Sequence, residues 1–179
     1  KWFNLSTPPG RPIISDVGSV DNGINIFLDF VLKQLIPLVP SVIKDSFDFV
    51  DKIKKSVLCL DGHIIITGDV ASLYTNMDNY RSMNISKQFL SLGGGLSSRQ
   101  IEAFLILLRQ SLFNNDFIFN NERFLQTNGC AMGKSYSPNL ANIYLAELDD
   151  FIRNNPMVSF YGRYIDDLFL VWGGDKASF

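Results

Sequence analysis

Between Tyr161 and Trp172, two runs rich in strand formers flank an adjacent pair of carboxylates, Asp166 and Asp167. No other stretch restricts the fold as much. The segment reads as a β-hairpin with an anionic tip. A tip selected for turn geometry alone favours Asn-Gly or Asp-Gly, which accept φ > 0. Two consecutive aspartates instead repel unless a cation lies between them. Carboxylate oxygens suit a hard divalent ion such as Mg²⁺. A metal site on a hairpin tip then needs at least one more acidic ligand from elsewhere in the chain.

A chain of 179 residues, 46% hydrophobic, is long enough for one compact domain with a sizeable core. Asp29, Lys33, Pro37 and Pro40 interrupt its most apolar region, and the first residues show no signal-peptide pattern, so a soluble, intracellular protein is expected. Cys59 and Cys130 stand far apart with a single histidine, His63, which excludes a zinc cluster or a disulfide framework. The formal net charge of −2 argues against a strongly basic nucleic-acid footprint, although basic residues lining one groove remain compatible with it.

Residues 1–20 are aperiodic and proline-bearing, as in an extended segment entering mid-domain. There Arg11, in Gly10-Arg11-Pro12-Ile13-Ile14, is placed to grip a phosphate bidentately or to serve as an ordinary surface arginine. A helix capped at Asp21 or Asn22 is predicted to turn Phe27, Phe30, Val31 and Leu35 to one face before Pro37 ends it. A second, from Asp45 or Ser46, turns Phe47, Val50 and Ile53 inward and Lys52, Lys54 and Lys55 outward.

After a turn at Asp61-Gly62, Ile64-Ile65-Ile66-Thr67 reads as a buried central strand ending at Gly68-Asp69-Val70. Asp69 is either the further acidic ligand or the N-cap of the next helix. Tyr74, five residues on, is a packing residue unless Asp69 is functional. Gly93-Gly94-Gly95 lacks the following Gly-Lys-Ser/Thr of a phosphate loop and reads as a flexible turn. Ser97 and Gln100 form a capping box for a helix from Ser98 to about Phe113, with Ile101, Phe104, Leu105, Leu108 and Leu112 inward. A small hairpin turning at Asn120-Asn121 comes next.

The loop from Gln126 to Pro138 leads into a helix with Ser137 at the N-cap and Pro138 first. Leu140, Ile143, Tyr144, Leu148, Phe151 and Ile152 form its apolar stripe, which leaves Glu147, Asp149 and Asp150 toward solvent. The small residues Gly129, Ala131 and Gly133 suit either close approach of a nucleic-acid backbone or a structural turn.

A strand ending in an acid, a glycine-bearing loop entering a Ser-Pro helix, and Tyr164-Ile165-Asp166-Asp167 together resemble the palm of reverse transcriptases, whose catalytic hairpin carries Tyr-x-Asp-Asp. The wording Asp69-Val70-Ala71-Ser72-Leu73-Tyr74-Thr75-Asn76, with Gly129-Cys130-Ala131-Met132-Gly133, Ser137-Pro138 and Ala141-Asn142, looks most like Penelope-like retroelement reverse transcriptases. The resemblance implies an α+β fold: right-hand polymerase fingers and palm, and an antiparallel palm sheet with packed helices; a thumb is expected to be absent from these 179 residues, which stop soon after Trp172. Residues 1–60 would be a partial fingers subdomain, and 61–179 a palm with inserted fingers elements at about 85–125, truncated after the catalytic hairpin.

The implied activity is RNA-directed DNA polymerisation, with two Mg²⁺ ions (Mn²⁺ as substitute), an RNA template, a DNA primer and dNTPs. Membrane association is not implied, and a nuclear location is implied if the element is eukaryotic. Asp69, Asp166 and Asp167 match the catalytic, metal-binding acids, with the Val70 carbonyl beside them. Arg11, Tyr74, Gln126 and Gly129 match nucleotide-binding positions; Gly133, Lys134 and Tyr164 match nucleic-acid-binding ones. The chain departs from the family at Met77-Asp78, where Ile-Pro is common. Within these 179 residues Lys1 at most matches the family's basic segment upstream of the Gly-Arg-Pro stretch, and they include no GIY-YIG endonuclease motif.

Two other readings compete. A catalytically incomplete palm could serve as a nucleic-acid-binding or structural module. RNA-dependent RNA polymerases, the less favoured comparison, resemble Gly-Asp-Asp at the hairpin and usually carry an acid where Tyr74 stands.

Overall fold

The computed structural model describes residues 13, 14, 16, 18–56 and 62–174; Lys1, Arg11, Cys59 and Asp61 lie outside them. In chain order the elements are α1 (Asn22–Lys33), a 3₁₀ turn (Ile36–Leu38), α2 (Ser46–Lys55), β1 (Ile64–Asp69), α3 (Leu73–Asn76), α4 (Asn79–Leu92), α5 (Ser98–Phe113), β2 (Asp116–Phe119), β3 (Glu122–Leu125), α6 (Ser137–Tyr144), α7 (Ala146–Arg153), β4 (Val158–Tyr164) and β5 (Asp167–Trp172).

The expected hairpin is β4–β5, joined through Ile165 and Asp166 so that Tyr164 pairs with Asp167. β5 then pairs antiparallel with β1, giving the sheet order β1-β5-β4. The central strand is therefore β5. β1, predicted as buried and central, is at an edge among the described residues, and Ile65 is 58% exposed. Its run of isoleucines reflects half-burial on one face only.

That covered face puts Ile64, Ile66, Tyr161, Leu170 and Trp172 against Ile152 of α7. The opposite face meets α2 through Phe49, whose ring lies edge-on to Phe169 at 5.0 Å and to Phe160 at 6.4 Å. α2 is thus rotated from the expected orientation: Phe49 packs inward, while Phe47 is 88% exposed and Val50 is exposed. α1 shows the same kind of shift. Leu28 and Leu32 enter the core, and Phe27 and Phe30 stay exposed.

The main core unites α1, α4, α5 and α6 through Leu28, Leu32, Ile85, Phe104, Leu108 and Leu140. α5 starts with the expected capping box: Ser97 Oγ accepts from Gln100 N, and Gln100 Oε1 accepts from Ser97 N. The β2–β3 hairpin turns at Asn120 and Asn121, both with positive φ, 51° and 64°.

The helix expected from Ser137 onward divides at Leu145 into α6 and α7. Tyr136, not Ser137, occupies the N-cap position, and the Ser137 hydroxyl donates to Ala131 O at 2.6 Å. The division rotates the second half, so Leu148 and Phe151 are exposed while Asp149 is buried, opposite to expectation. Among the described residues, no helix is long and apolar enough to cross a membrane.

Candidate active site

Asp69 ends β1 directly opposite Asp167, which begins β5. One residue on, the Val70 amide donates to the Asp166 carbonyl at 2.9 Å. The register therefore brings all three acids to one end of the sheet. Opposed like charges across an antiparallel pair are destabilising. Among the described residues, no ion pair engages any of the three. Asp69 is not the next helix's N-cap; that position belongs to Ser72, in left-handed backbone at φ 52°.

The tip is strained. Ile165 has φ 55°, and a β-branched residue rarely adopts that conformation, which costs about 1–2 kcal/mol. Tyr164, 48% exposed, pairs with Asp167 and shares its face of the sheet. Beside them opens a cleft of about 840 Å³, lined by Asp69, Asp167 and Tyr164 and floored by Phe49 and Phe169.

Tyr74 is half-buried against the main core. Its phenol is pushed up to about 12, first by burial, then by the charges of Asp166 and Cys130. The hydroxyl therefore stays protonated at neutral pH, within electrostatic reach of Asp166. Burial likewise raises the Cys130 thiol to about 11, and this free cysteine is an inert packing group.

The loop before α6 docks on Tyr74 from behind, where Cys130 N donates to Tyr74 O at 2.8 Å. Gly129, at φ 77°, is indeed a close-approach glycine. What approaches it is protein: a Cβ there would lie 2.1 Å from Tyr74 O. Gln126 joins the loop to the end of α5, its amide donating to Asn115 O and its Nε2 to Asn128 O, each at 2.9 Å. Gly133 sits half-buried in the turn leading to α6.

Lys134 does not reach solvent. Its ammonium donates to Asp21 Oδ2 at 2.9 Å, Ser111 O at 2.7 Å and Ser111 Oγ at 2.8 Å, so it ties the loop to α1 and α5. An ammonium with all three donors engaged inside the protein is not a phosphate contact. Lys134→Ala is accordingly expected to destabilise the fold by about 2 kcal/mol or more. The slope of nucleic-acid affinity against salt should stay unchanged, because no phosphate contact is lost. A shallower slope with an unchanged melting temperature would restore the surface assignment.

Sequence reasoning passed over Arg163 and placed Asp149, its partner, toward solvent. Arg163 is fully buried and Asp149 is 1% exposed. The guanidinium grips the carboxylate bidentately, Nε to Oδ1 at 2.8 Å and Nη2 to Oδ2 at 2.6 Å. Asp149 also accepts from Tyr161 OH at 2.8 Å and Ser41 Oγ at 2.6 Å, so both its oxygens are satisfied. Burial and the adjacent Asp149 charge push the Tyr161 phenol well above its usual range.

As donors, the three tip carboxylates fit a hard divalent cation in kind: oxygen ligands, solvent-accessible, and uncompensated among the described residues. They do not form a finished cage. No three acidic, histidine or cysteine side chains among the described residues are gathered to hold a metal unaided. Mg²⁺ ordinarily takes one or two carboxylates and completes its shell with water and substrate phosphates, which matches this arrangement.

No protein-family model matches the chain, and no curated protein matches its sequence. Solved structures do match. An apo telomerase from Candida tropicalis, truncated from its C-terminal domain, superposes on 86% of this chain with a TM-score of 0.66 and 12% identity. A Candida albicans telomerase in complex with a fragment of telomeric RNA covers 84% with a TM-score of 0.64 and 14% identity. The fold is reverse-transcriptase-like. The chain spans 35% and 31% of those two proteins, so it corresponds to about a third of each. At such identities, the likeness concerns the reverse-transcriptase-like fold alone.

Proposed function

We propose that this chain is the catalytic part of an RNA-directed DNA polymerase of a Penelope-like retroelement, with the β1-β5-β4 sheet as its palm. The observation that carries the reading is the register placing Asp69 opposite Asp167, with Val70 bonded to Asp166, so that three carboxylates without an ion-pair partner among the described residues share one end of the sheet. A fold that needed these residues only for packing would pair them or replace them.

Asp69 and Asp166, with Asp167 and the Val70 carbonyl, would hold two Mg²⁺ ions, or Mn²⁺ in their place. When bound, such ions activate the primer 3′-hydroxyl and neutralise charge on the triphosphate during in-line transfer at the α-phosphate. The chain's own part is positioning. The paired strands fix the spacing of the carboxylates, and the exposed Tyr164 offers a ring to the primer-template beside them. Sequence is read by template pairing, so the protein needs backbone and shape contacts rather than base readout. Arg11, outside the described residues, is assigned to the incoming triphosphate, and Gln126 to the nucleotide side of the loop.

Primer extension on RNA and DNA templates, with deoxy- or ribonucleotides and Mg²⁺ or Mn²⁺, tests the reading. Extension from dNTPs on RNA that requires the metal supports it. Extension from ribonucleotides alone would favour an RNA polymerase, and metal-independent nucleic-acid binding without turnover would favour a binding module.

Tyr74 carries the choice of sugar. Its phenol lies within electrostatic reach of Asp166, and we assign its ring to the space a 2′-hydroxyl needs, where a steric wall discriminates by exclusion. Tyr74→Ala is expected to raise ribonucleotide use relative to deoxynucleotide use by about tenfold or more. Truncating a half-buried aromatic should also cost about 2 kcal/mol of stability. An unchanged ratio of the two kcat/KM values in a folded, active variant would leave Tyr74 as a packing residue only.

A further inference from the structure

The Arg163 guanidinium has five N–H donors, and every one is engaged. Two go to Asp149, and two go to α6, through Asn142 Oδ1 at 2.9 Å and Asn142 O at 3.0 Å. The fifth leaves the core. Nη1 donates to Ile165 O at 2.8 Å, inside the hairpin tip. Arg163's main chain is held as well, its N–H donating to Ser41 O at 2.8 Å and its carbonyl accepting from Ile43 N at 2.7 Å.

Ile165 is the residue whose backbone is forced into the left-handed region. Its carbonyl belongs to the peptide unit just before the Asp166 Cα. The next carbonyl, that of Asp166, is pinned by Val70 N. Both peptide units flanking the Asp166 Cα are therefore fixed, one from the core by Arg163 and the other from the end of β1. The direction in which the Asp166 side chain leaves the backbone follows from those two bonds.

We propose that Arg163 is a positioning residue: oriented by Asp149, it clamps the strained Ile165–Asp166 peptide and so sets the reach of Asp166 toward metal. The metal half of this rests on the function proposed above; the clamp itself does not. Arg163 touches no substrate. It acts through Ile165 O as an outer-sphere partner of the ligand. Lysine at this position would keep the charge against Asp149 but has three donors on one point, so it cannot hold Asp149, Asn142 and Ile165 together.

The test compares Arg163→Lys with the wild-type chain by two readouts besides activity. These are hydrogen exchange of the Val70 amide, which reports whether the tip bond is kept, and Mn²⁺ affinity measured by calorimetry. The variant is expected to exchange at Val70 at least about tenfold faster and to bind Mn²⁺ about tenfold more weakly, the scale on which outer-shell partners of a metal ligand act. Glycine adopts positive φ freely, so Ile165→Gly added to Arg163→Lys should restore part of both. A purely structural Arg163 would show no such rescue.

Should Arg163→Lys fail to fold, Asn142→Ala carries the same comparison: it removes the side-chain acceptor that orients Nη1 beside Ile165 O and leaves the buried Arg163–Asp149 pair intact. Unchanged Val70 exchange in a folded variant overturns the clamp. Mn²⁺ binding that is indifferent to Asp166→Asn overturns the function proposed above, and the metal half of this proposal with it.

Discussion

Asp166→Asn, and separately Asp69→Asn, is expected to remove primer extension by at least about a hundredfold while leaving the protein as stable as before or more so. The activity loss is on the scale of deleting a group that stabilises transition-state charge. The stability gain follows from charge. Asp69 and Asp167 face each other across the pair, Asp166 lies between β4 and β5, and no cation among the described residues pairs with any of them. Relieving a like-charge cross-strand contact is worth up to about 1 kcal/mol. In a domain of this size that raises the melting temperature by about 2–4 °C. Adding Mg²⁺ should reverse the order, because a bound ion stabilises only the form that holds it. A variant that extends primers at the wild-type rate, or that unfolds at room temperature, would show that the acids are not ligands.

Such a gain in stability on removing charge separates a ligand cluster from a structural one within the same molecule. Asp149 is an aspartate too, but it is buried against Arg163, Tyr161 and Ser41. Its removal would strand a buried guanidinium at a cost of about 3–5 kcal/mol.

The sequence showed where these aspartates lie only in part. Asp166 and Asp167 were legible because their signal is local: strand formers on both sides and a turn poorly served by two acids. Asp69 followed, since a strand ending in an acid needs only pairing with the hairpin to meet it, and β1–β5 provides that pairing. Asp149 was misread because its partner lies in β4, while the apolar stripe that seemed to put it outside assumed one continuous helix. The break at Leu145 turns the later residues inward-for-outward.

Lys134 failed for the same reason, its partners Asp21 and Ser111 being 113 and 23 residues away. In α1 and α2 the sequence offers apolar residues on two sides. Only the tertiary partner, Phe169 in the case of α2, decides that Phe49 goes in and Phe47 out. Periodicity reports that a face is apolar; it does not report which face is met.

Gly129 is where that limit has the largest measurable consequence. A small residue in a loop before a helix suits a nucleic-acid backbone passing close by, and the structure substitutes the backbone of Tyr74 and Thr75. A Cβ at position 129 would lie 2.1 Å from Tyr74 O, 2.8 Å from Thr75 Cα and 2.9 Å from Thr75 C, all main-chain atoms that no rotamer change can move. The Cys130 N to Tyr74 O bond holds the two segments at that distance. Gly129→Ala must therefore displace α3 or the loop, at about 1–3 kcal/mol for overpacking. It also places a side chain at φ 77°, adding about 1–2 kcal/mol. Together these predict a loss of roughly 2–5 kcal/mol, or a melting temperature lower by about 10 °C. Because α3 carries Tyr74, the surviving folded fraction should also discriminate less well between deoxy- and ribonucleotides. If the glycine instead makes room for a template, Gly129→Ala would melt as the wild type does and differ only in a weaker affinity for primer-template. Thermal melting and a binding titration on the same preparation decide between these outcomes, since each mechanism moves one measurement and spares the other.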